Sequence, residues 1–204
     1  MRWLVAAGLG VMIGFGATAC EQSKAAPAAG AAPAPPTAAE REQYDRYRRP
    51  ELLLAALELR PGAVVADVGA GRGYLTQRLA LAVGAGGKVV ATDIDAAALA
   101  AIAPAGPGAA PVETRLVQPA DPGLEPASYD LILLAEVDHL LPERAAYLRR
   151  LASALAPGGR IAVSNRPLYR APLLEAAGRA GLGVASESRA LPAHFLVLLT
   201  PETP

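Results

Sequence analysis

The stretch Ala66 to Tyr74, "ADVGAGRGY", limits the fold more than any other part of this 204-residue chain. Gly69, Gly71 and Gly73 follow directly on the apolar run "AVVADVG" (63 to 69), which reads as a buried strand, and lead into "GYLTQRLALAVG" (73 to 84), which reads as a helix. A strand that turns into a helix through alternate glycines uses backbone angles that other residues resist. It also lets the main chain approach a ligand that a side chain would exclude. Free amides at the helix start are expected to face that ligand. The dinucleotide fingerprint is G-x-G-x-x-G, but here the sixth position is Tyr74, so the spacing is G-x-G-x-G, and an acid, Asp67, stands two residues before the first glycine. A carboxylate there suits a cationic ligand group better than a pyrophosphate.

Beyond this point the pattern alternates. "KVVATDI" (88 to 94), "VETRLVQ" (112 to 118), "YDLILLAE" (129 to 136) and "RIAVSN" (160 to 165) read as strands, and "GVASESRAL" with "HFLVLLT" as a terminal strand pair. Between them "AAALAAIA", "PERAAYLRRLASAL" (142 to 155) and "PLLEAAGRAGL" carry helical patterns. The expectation is an α/β fold with a doubly wound, mostly parallel, Rossmann-like sheet of seven strands, and a ligand site at the carboxyl ends of those strands. Asp93 closes the second strand, twenty residues after Gly73. A carboxylate at that distance accepts both ribose hydroxyl hydrogens of a nucleoside.

Composition excludes more than it specifies. The length suits one domain with appendages. Acidic and basic side chains balance at 19 each and no basic run exceeds two residues, so no nucleic-acid partner is expected. Cys20 is the only cysteine, which excludes a disulfide or a cysteine-based metal site within the chain. The two histidines, His139 and His194, are far apart in sequence and match no metal-binding spacing, so no metal is expected.

The amino terminus is a separate unit. Arg2 precedes the uncharged run Trp3 to Ala19, and "ATAC" (17 to 20) resembles a bacterial lipoprotein box with Ala17 where Leu is usual. Residues 1–19 are thus expected to be a signal peptide and Cys20 a lipidated residue, each buried CH2 of its acyl chains adding about 0.8 kcal/mol of membrane affinity. An uncleaved N-terminal anchor is the alternative, and both export the domain to face the periplasm. Residues 25 to 38, "AAPAAGAAPAPPTA", read as a tether able to span roughly 40 Å at about 3.1 Å per residue. Residues 20–40 form this lipidated linker and 41–204 the folded domain. In that domain Pro50 opens a helix with Leu52, Leu53, Ala56 and Leu59 on one face, and Tyr44 and Tyr47 either close over the pocket or lie on an exposed helix face.

An acid, a spacer and G-x-G-x-G, followed by Asp93 at the end of "VVATD", resemble the class I S-adenosylmethionine-dependent methyltransferase family. The "SYDLILL" strand and the "LRRLASALAPGGRIAV" helix, turn and strand extend the resemblance over roughly residues 48 to 200. It implies S-adenosylmethionine as cofactor, held by Asp67, Gly69, Ala70, Gly71, Gly73 and Asp93, with Ile94 packed on adenine. Many relatives carry an acid after the third strand; this chain has "VQPADP", which puts Gln118 there as an acceptor for the adenine amino group. Asp121 either substitutes for that acid or begins a turn with Pro122.

In the family the segment after the fourth strand borders donor and acceptor; here it is "AEVDHL". It lacks the (D/N)PP(Y/F) motif of amide and base nitrogen methylation, which leaves a small-molecule or envelope acceptor. Methyl transfer from a sulfonium is an in-line displacement, so alignment and water exclusion dominate. A base is needed only where the acceptor must lose a proton. Histidine is the side chain that ordinarily changes charge near neutral pH, so His139 is the candidate base, and capping the following helix is its alternative role. Glu136 either contacts the methionine part of the cofactor or is solvated, and His194, inside an apolar run, reads as structural. The competing function is a methyltransferase-like binding module without turnover; Tyr74 disfavours a nicotinamide oxidoreductase.

Overall fold

The computed structural model describes residues 37–202. The expected signal segment, Cys20 and most of the tether lie outside them. The order of elements is α1 (Ala38–Arg48), α2 (Pro50–Leu57), β1 (Val64–Val68), α3 (Thr76–Val83), β2 (Lys88–Asp93), α4 (Ala96–Ala100), β3 (Val112–Leu116), β4 (Tyr129–Ala135), α5 (Arg144–Ala154), β5 (Leu155–Asn165), α6 (Arg170–Arg179), β6 (Leu182–Ser188) and β7 (Phe195–Pro201). Short 3-10 turns stand at Asp138–Leu140 and Pro167–Tyr169.

The seven strands form one sheet in the order β3-β2-β1-β4-β5-β7-β6. Pairings from β3 through β5 are parallel, and β7 runs antiparallel to both β5 and β6. This is the expected mostly parallel, doubly wound sheet. The chain leaves β1 toward one edge and β4 toward the other, so a crevice opens between their carboxyl ends, where such folds bind ligands.

Period-2 side-chain alternation divides the core into two layers. Ile132 and Leu134 of β4 join Ala66, Leu148, Leu151 and Leu173 on one face of the sheet, beneath α5 and α6. Leu131 and Leu133 join Val65, Leu53, Leu57 and Leu79 on the other, beneath α2 and α3. Both faces of β4 are therefore covered, which is why its sequence reads as a continuous apolar run.

The folded region starts earlier than residue 41. Thr37 caps α1, its hydroxyl accepting the Glu40 amide while the Glu40 carboxylate takes the Thr37 amide, a reciprocal capping box. The α1 and α2 helices meet at Arg49, whose φ of 45° breaks the helix before Pro50. Among the described residues, no helix is long and apolar enough to cross a membrane.

Candidate functional site

A cavity of about 500 Å³ opens at the carboxyl ends of the strands, walled by Gly69, Ala70, Gly71, Asp93, Ile94 and Gln118 on one side. Tyr44 and Arg48 of α1, Glu136 after β4, Leu140, Leu141 and Tyr147 complete the wall, with Tyr44 and Arg48 packed against Tyr74 at the end of the cradle. Its size falls within the range of pockets that enclose a small organic ligand.

The three cradle glycines serve different ends. A methyl group on Gly69 would stand 2.6 Å from Cγ2 of Val137, and one on Gly73 would stand 2.8 Å from Cγ2 of Ile102, so both positions are glycine because neighbours pack against them. Gly71 has φ +55 and nothing within 4 Å of an added Cβ. It is the glycine of the three that lines open space, and its N–H donates to Oδ2 of Asp93 at 2.7 Å.

Asp93 receives a second amide, from Asp95, on Oδ1 at 3.0 Å. An ionised carboxylate offers about four acceptor sites, so capacity for two further donors remains on an oxygen pair facing the cavity. This is the chemistry a ribose diol requires. Ile94, 62% exposed, Val117, Gln118 and Pro119 form the adjoining wall, a setting for a flat base beside a single amide side chain. Asp121 is elsewhere: its carboxylate accepts the Gly123 amide and closes a turn.

Asp67 is not part of the cavity wall. It lies buried beneath the cradle, where its Oδ2 accepts the hydroxyl hydrogen of Thr76 in α3 at 2.6 Å. Burial pushes its carboxyl up to about 6; the Thr76 bond opposes that rise and the charge of Asp93 adds to it. The acid expected to touch a cationic ligand group thus lies beneath the cavity wall and ties β1 to α3.

At the other end of the cavity the chain reverses at Glu136, whose φ of 58° is uncommon for a side-chain-bearing residue and is held by bonds on both carboxylate oxygens. Oε2 pairs with Arg48 at 2.5 Å and Oε1 meets Nε2 of His194 at 3.1 Å. The hydrogen bond from His194, followed by burial in the opposite sense and the Arg48 charge, leaves the Glu136 carboxyl below its ordinary range. Since a carboxylate only accepts, His194 carries its proton on Nε2. Buried against the edge of Tyr47, it fastens α1 to the end of β4, a tie that its position inside an apolar run had hidden. Further ties come from Asp45, which accepts from Tyr74 Oη at 2.6 Å and from Arg78 at 2.7 Å. Arg48 was not singled out in the sequence, since nothing in its neighbourhood distinguishes it from six other arginines in residues 41–78.

His139 stands apart from the cavity wall. Its ring stacks on Tyr169 with centroids 4.1 Å apart, and Nδ1 lies 2.9 Å from Nδ2 of Asn165. The Asn165 amide is oriented by the Arg166 N–H on its Oδ1, and its Nδ2 also reaches the fully buried Asp138 at 2.5 Å. The amide nitrogen can only donate, so Nδ1 of His139 accepts and the neutral ring keeps its proton on Nε2. Such a ring offers a donor outward rather than a basic lone pair, which weighs against the expected base.

Residues 66–161 match the methyltransferase domain family. The chain is 37% identical over 115 residues to the nocamycin O-methyltransferase of Saccharothrix syringae, an alignment covering 55% of this chain and 41% of that protein. It therefore spans about two fifths of that relative. Among solved structures, an S-adenosylmethionine-dependent methyltransferase from Aquifex aeolicus superposes with a TM-score of 0.69 at 22% identity, over 77% of this chain and 92% of that one. A TehB-like S-adenosylmethionine-dependent methyltransferase from Corynebacterium glutamicum gives 0.62 at 21% identity, over 81% of this chain and 100% of its own. With the glycine cradle, Asp93 and the β3-β2-β1-β4-β5-β7-β6 sheet in place, the folded domain has the fold of the class I S-adenosylmethionine-dependent methyltransferases, and residues 66–161 of it match the methyltransferase domain family.

Proposed function

We propose that the domain transfers a methyl group from S-adenosylmethionine to an oxygen of a small-molecule acceptor. The observation that carries this reading is that Gly71, Asp93, Glu136 and Arg48 line one cavity at the carboxyl ends of the strands. The cradle and Asp93 fit the nucleoside: Gly71 lines open space, and Asp93 retains free acceptor capacity. The bound group supplies an electrophilic methyl carbon next to a sulfonium. The chain's own part is to hold the nucleoside at Asp93, to set Glu136 near the positive methionine end, and to exclude water with α1 and Tyr44. Oxygen as acceptor atom follows the nocamycin relative. Photo-crosslinking of the full-length protein with methyl-labelled S-adenosylmethionine tests the cofactor. The label is expected to be displaced by S-adenosylhomocysteine and not by NAD; displacement by NAD alone contradicts the reading.

We propose further that the domain is exported and anchored through Cys20, on the support of the uncharged run Trp3 to Ala19, the "ATAC" box and the Ala/Pro tether. Cys20→Ser is expected to leave an unprocessed, unacylated precursor. Mass spectrometry showing an intact Met1 and no acyl group on the native protein contradicts it.

A further inference from the structure

The two ends of the sheet present opposite surfaces. Around the amino ends of β1, β4 and β5 a second hollow is lined by the charged side chains Glu58, Arg60, Asp130 and Arg160. Eight large hydrophobic side chains are exposed among the described residues, and six of them stand at the other end of the sheet. Tyr44 and Tyr47 belong to α1, Leu116 is the last residue of β3, and Ile94, Leu140 and Leu168 follow just beyond β2, β4 and β5. The remaining two are Leu81, in the last turn of α3, and Val184, on the edge strand β6. Exposed aliphatic residues scattered singly are ordinary; six gathered at one end of a sheet mark a surface that something covers.

The strand order β3-β2-β1-β4-β5 places Leu116, Ile94, Leu140 and Leu168 in succession along this edge, over about 19 Å at about 4.8 Å per strand. Tyr44, Ile94 and Leu140 also line the cavity, so the exposed residues form its rim. From Leu140, 70% exposed, the rim continues to Leu168, 64% exposed, through their chain neighbours His139 and Tyr169, whose rings are stacked. Tyr47 joins it through His194, which it meets edge-on and which holds Glu136 of the wall. Leu116, Leu168 and Tyr47 lie outside the wall, so a ligand inside the cavity does not account for them.

We propose that this rim docks on the surface of a lipid bilayer. Aliphatic side chains that enter the acyl boundary, with tyrosines and an arginine at headgroup level, are the composition that settles at such an interface. The arginine is Arg166, exposed two residues before Leu168 and bonded to the Tyr169 hydroxyl. The chain also enters the domain on this side: Thr37 caps α1, about 10 Å along the helix from Tyr44 of the cavity wall at about 1.5 Å per residue. Residues 21–36 lie between Cys20 and Thr37, so an anchor on Cys20 leaves at most roughly 50 Å of chain at about 3.1 Å per residue. The inference rests on the Cys20 reading for that reach alone; the composition of the rim is independent of it. Docked in this way, the cavity opens onto the bilayer rather than onto bulk water.

The test uses full-length Cys20→Ser protein with one bimane label, attached at Leu168→Cys or, as control, at Leu81→Cys, and phosphatidylcholine vesicles containing a doxyl-labelled lipid as quencher. Circular dichroism matching the unlabelled protein establishes that each labelled domain is folded. The label at 168 is expected to be quenched at least about threefold more than the label at 81, and Leu140→Asp to cut that quenching by about half or more. Equal quenching of the two labels means adhesion without a docking face, and no quenching of either means that the rim meets no bilayer; both results overturn the inference. Shielding of the label at 168 before lipid is added, with a dimer mass by light scattering, assigns the rim to a second copy of the chain and overturns it as well. The readout requires neither cofactor nor acylation, so its failure leaves the methyltransferase and Cys20 readings standing.

Discussion

The two halves of the cavity are built by opposite strategies. The nucleoside half comes from one continuous stretch, β1 to the end of β3, where each functional group is fixed by strand–turn–helix geometry and backbone amides. The half around Glu136 is assembled from segments far apart in sequence: Arg48 from α1, Glu136 after β4 and His194 before β7. Local geometry makes the first half rigid and the second dependent on long-range ion pairs. Substitutions on the two sides should therefore fail in different ways.

The largest expected effect separates packing from ligand contact within the cradle itself. Gly69→Ala adds a methyl 2.6 Å from Val137 at a φ of 74°, and combined overpacking and backbone strain should cost about 3 kcal/mol of stability. Gly71→Ala meets no neighbour, so it should cost only about 1 kcal/mol from its positive φ, yet weaken S-adenosylhomocysteine binding markedly. Chemical denaturation alongside calorimetry checks the pair; equal stability losses would remove the distinction.

Next comes Asp93→Ala, which removes two charge-assisted bonds to a bound ribose. A loss of about 3 kcal/mol, or about 100-fold in affinity for S-adenosylhomocysteine, is expected by calorimetry. Arg48→Ala on the other side should change that affinity far less while loosening α1, visible as faster amide exchange across Ala38–Arg48.

Asp67 yields a pH signature. Its folded-state value of about 6 lies above the ordinary 3.8, so the native state binds the proton more tightly than the unfolded chain between those values. Stability therefore falls as pH rises through this window, by roughly 2–3 kcal/mol in all, and the penalty is constant above it. Asp67→Asn should abolish this slope and keep an acceptor for Thr76, which thermal melts between pH 4 and pH 8 would show.

These contrasts also explain what the sequence disclosed. The sheet, the glycines, Asp93 and Ile94 were legible because spacing along a short segment determines them, and the structure places each near its expected position. Asp67 was found for its pattern but not for its place, since burial beneath the loop depends on how α3 packs back on β1 through Thr76. The ties of His194 and Arg48 to Glu136 join positions 58 and 88 residues distant from it in sequence, and no local pattern encodes such a meeting. His139 was legible as a residue near the site, while the amide that decides its tautomer, Asn165, comes from the end of a different strand.

The smallest expected effect follows from that tautomer. His139→Ala should slow methyl transfer by less than about tenfold, whereas loss of a working base costs about 100-fold or more. A drop of that larger size in a single-turnover assay would restore His139 as the base.

The central claim is that the cradle holds S-adenosylmethionine. Calorimetric titration of the full-length protein with S-adenosylhomocysteine measures it most directly. Saturable binding to one site with a micromolar dissociation constant is expected, weakened by Gly71→Ala and Asp93→Ala. Absence of heat at millimolar ligand, or binding indifferent to both substitutions, would contradict it.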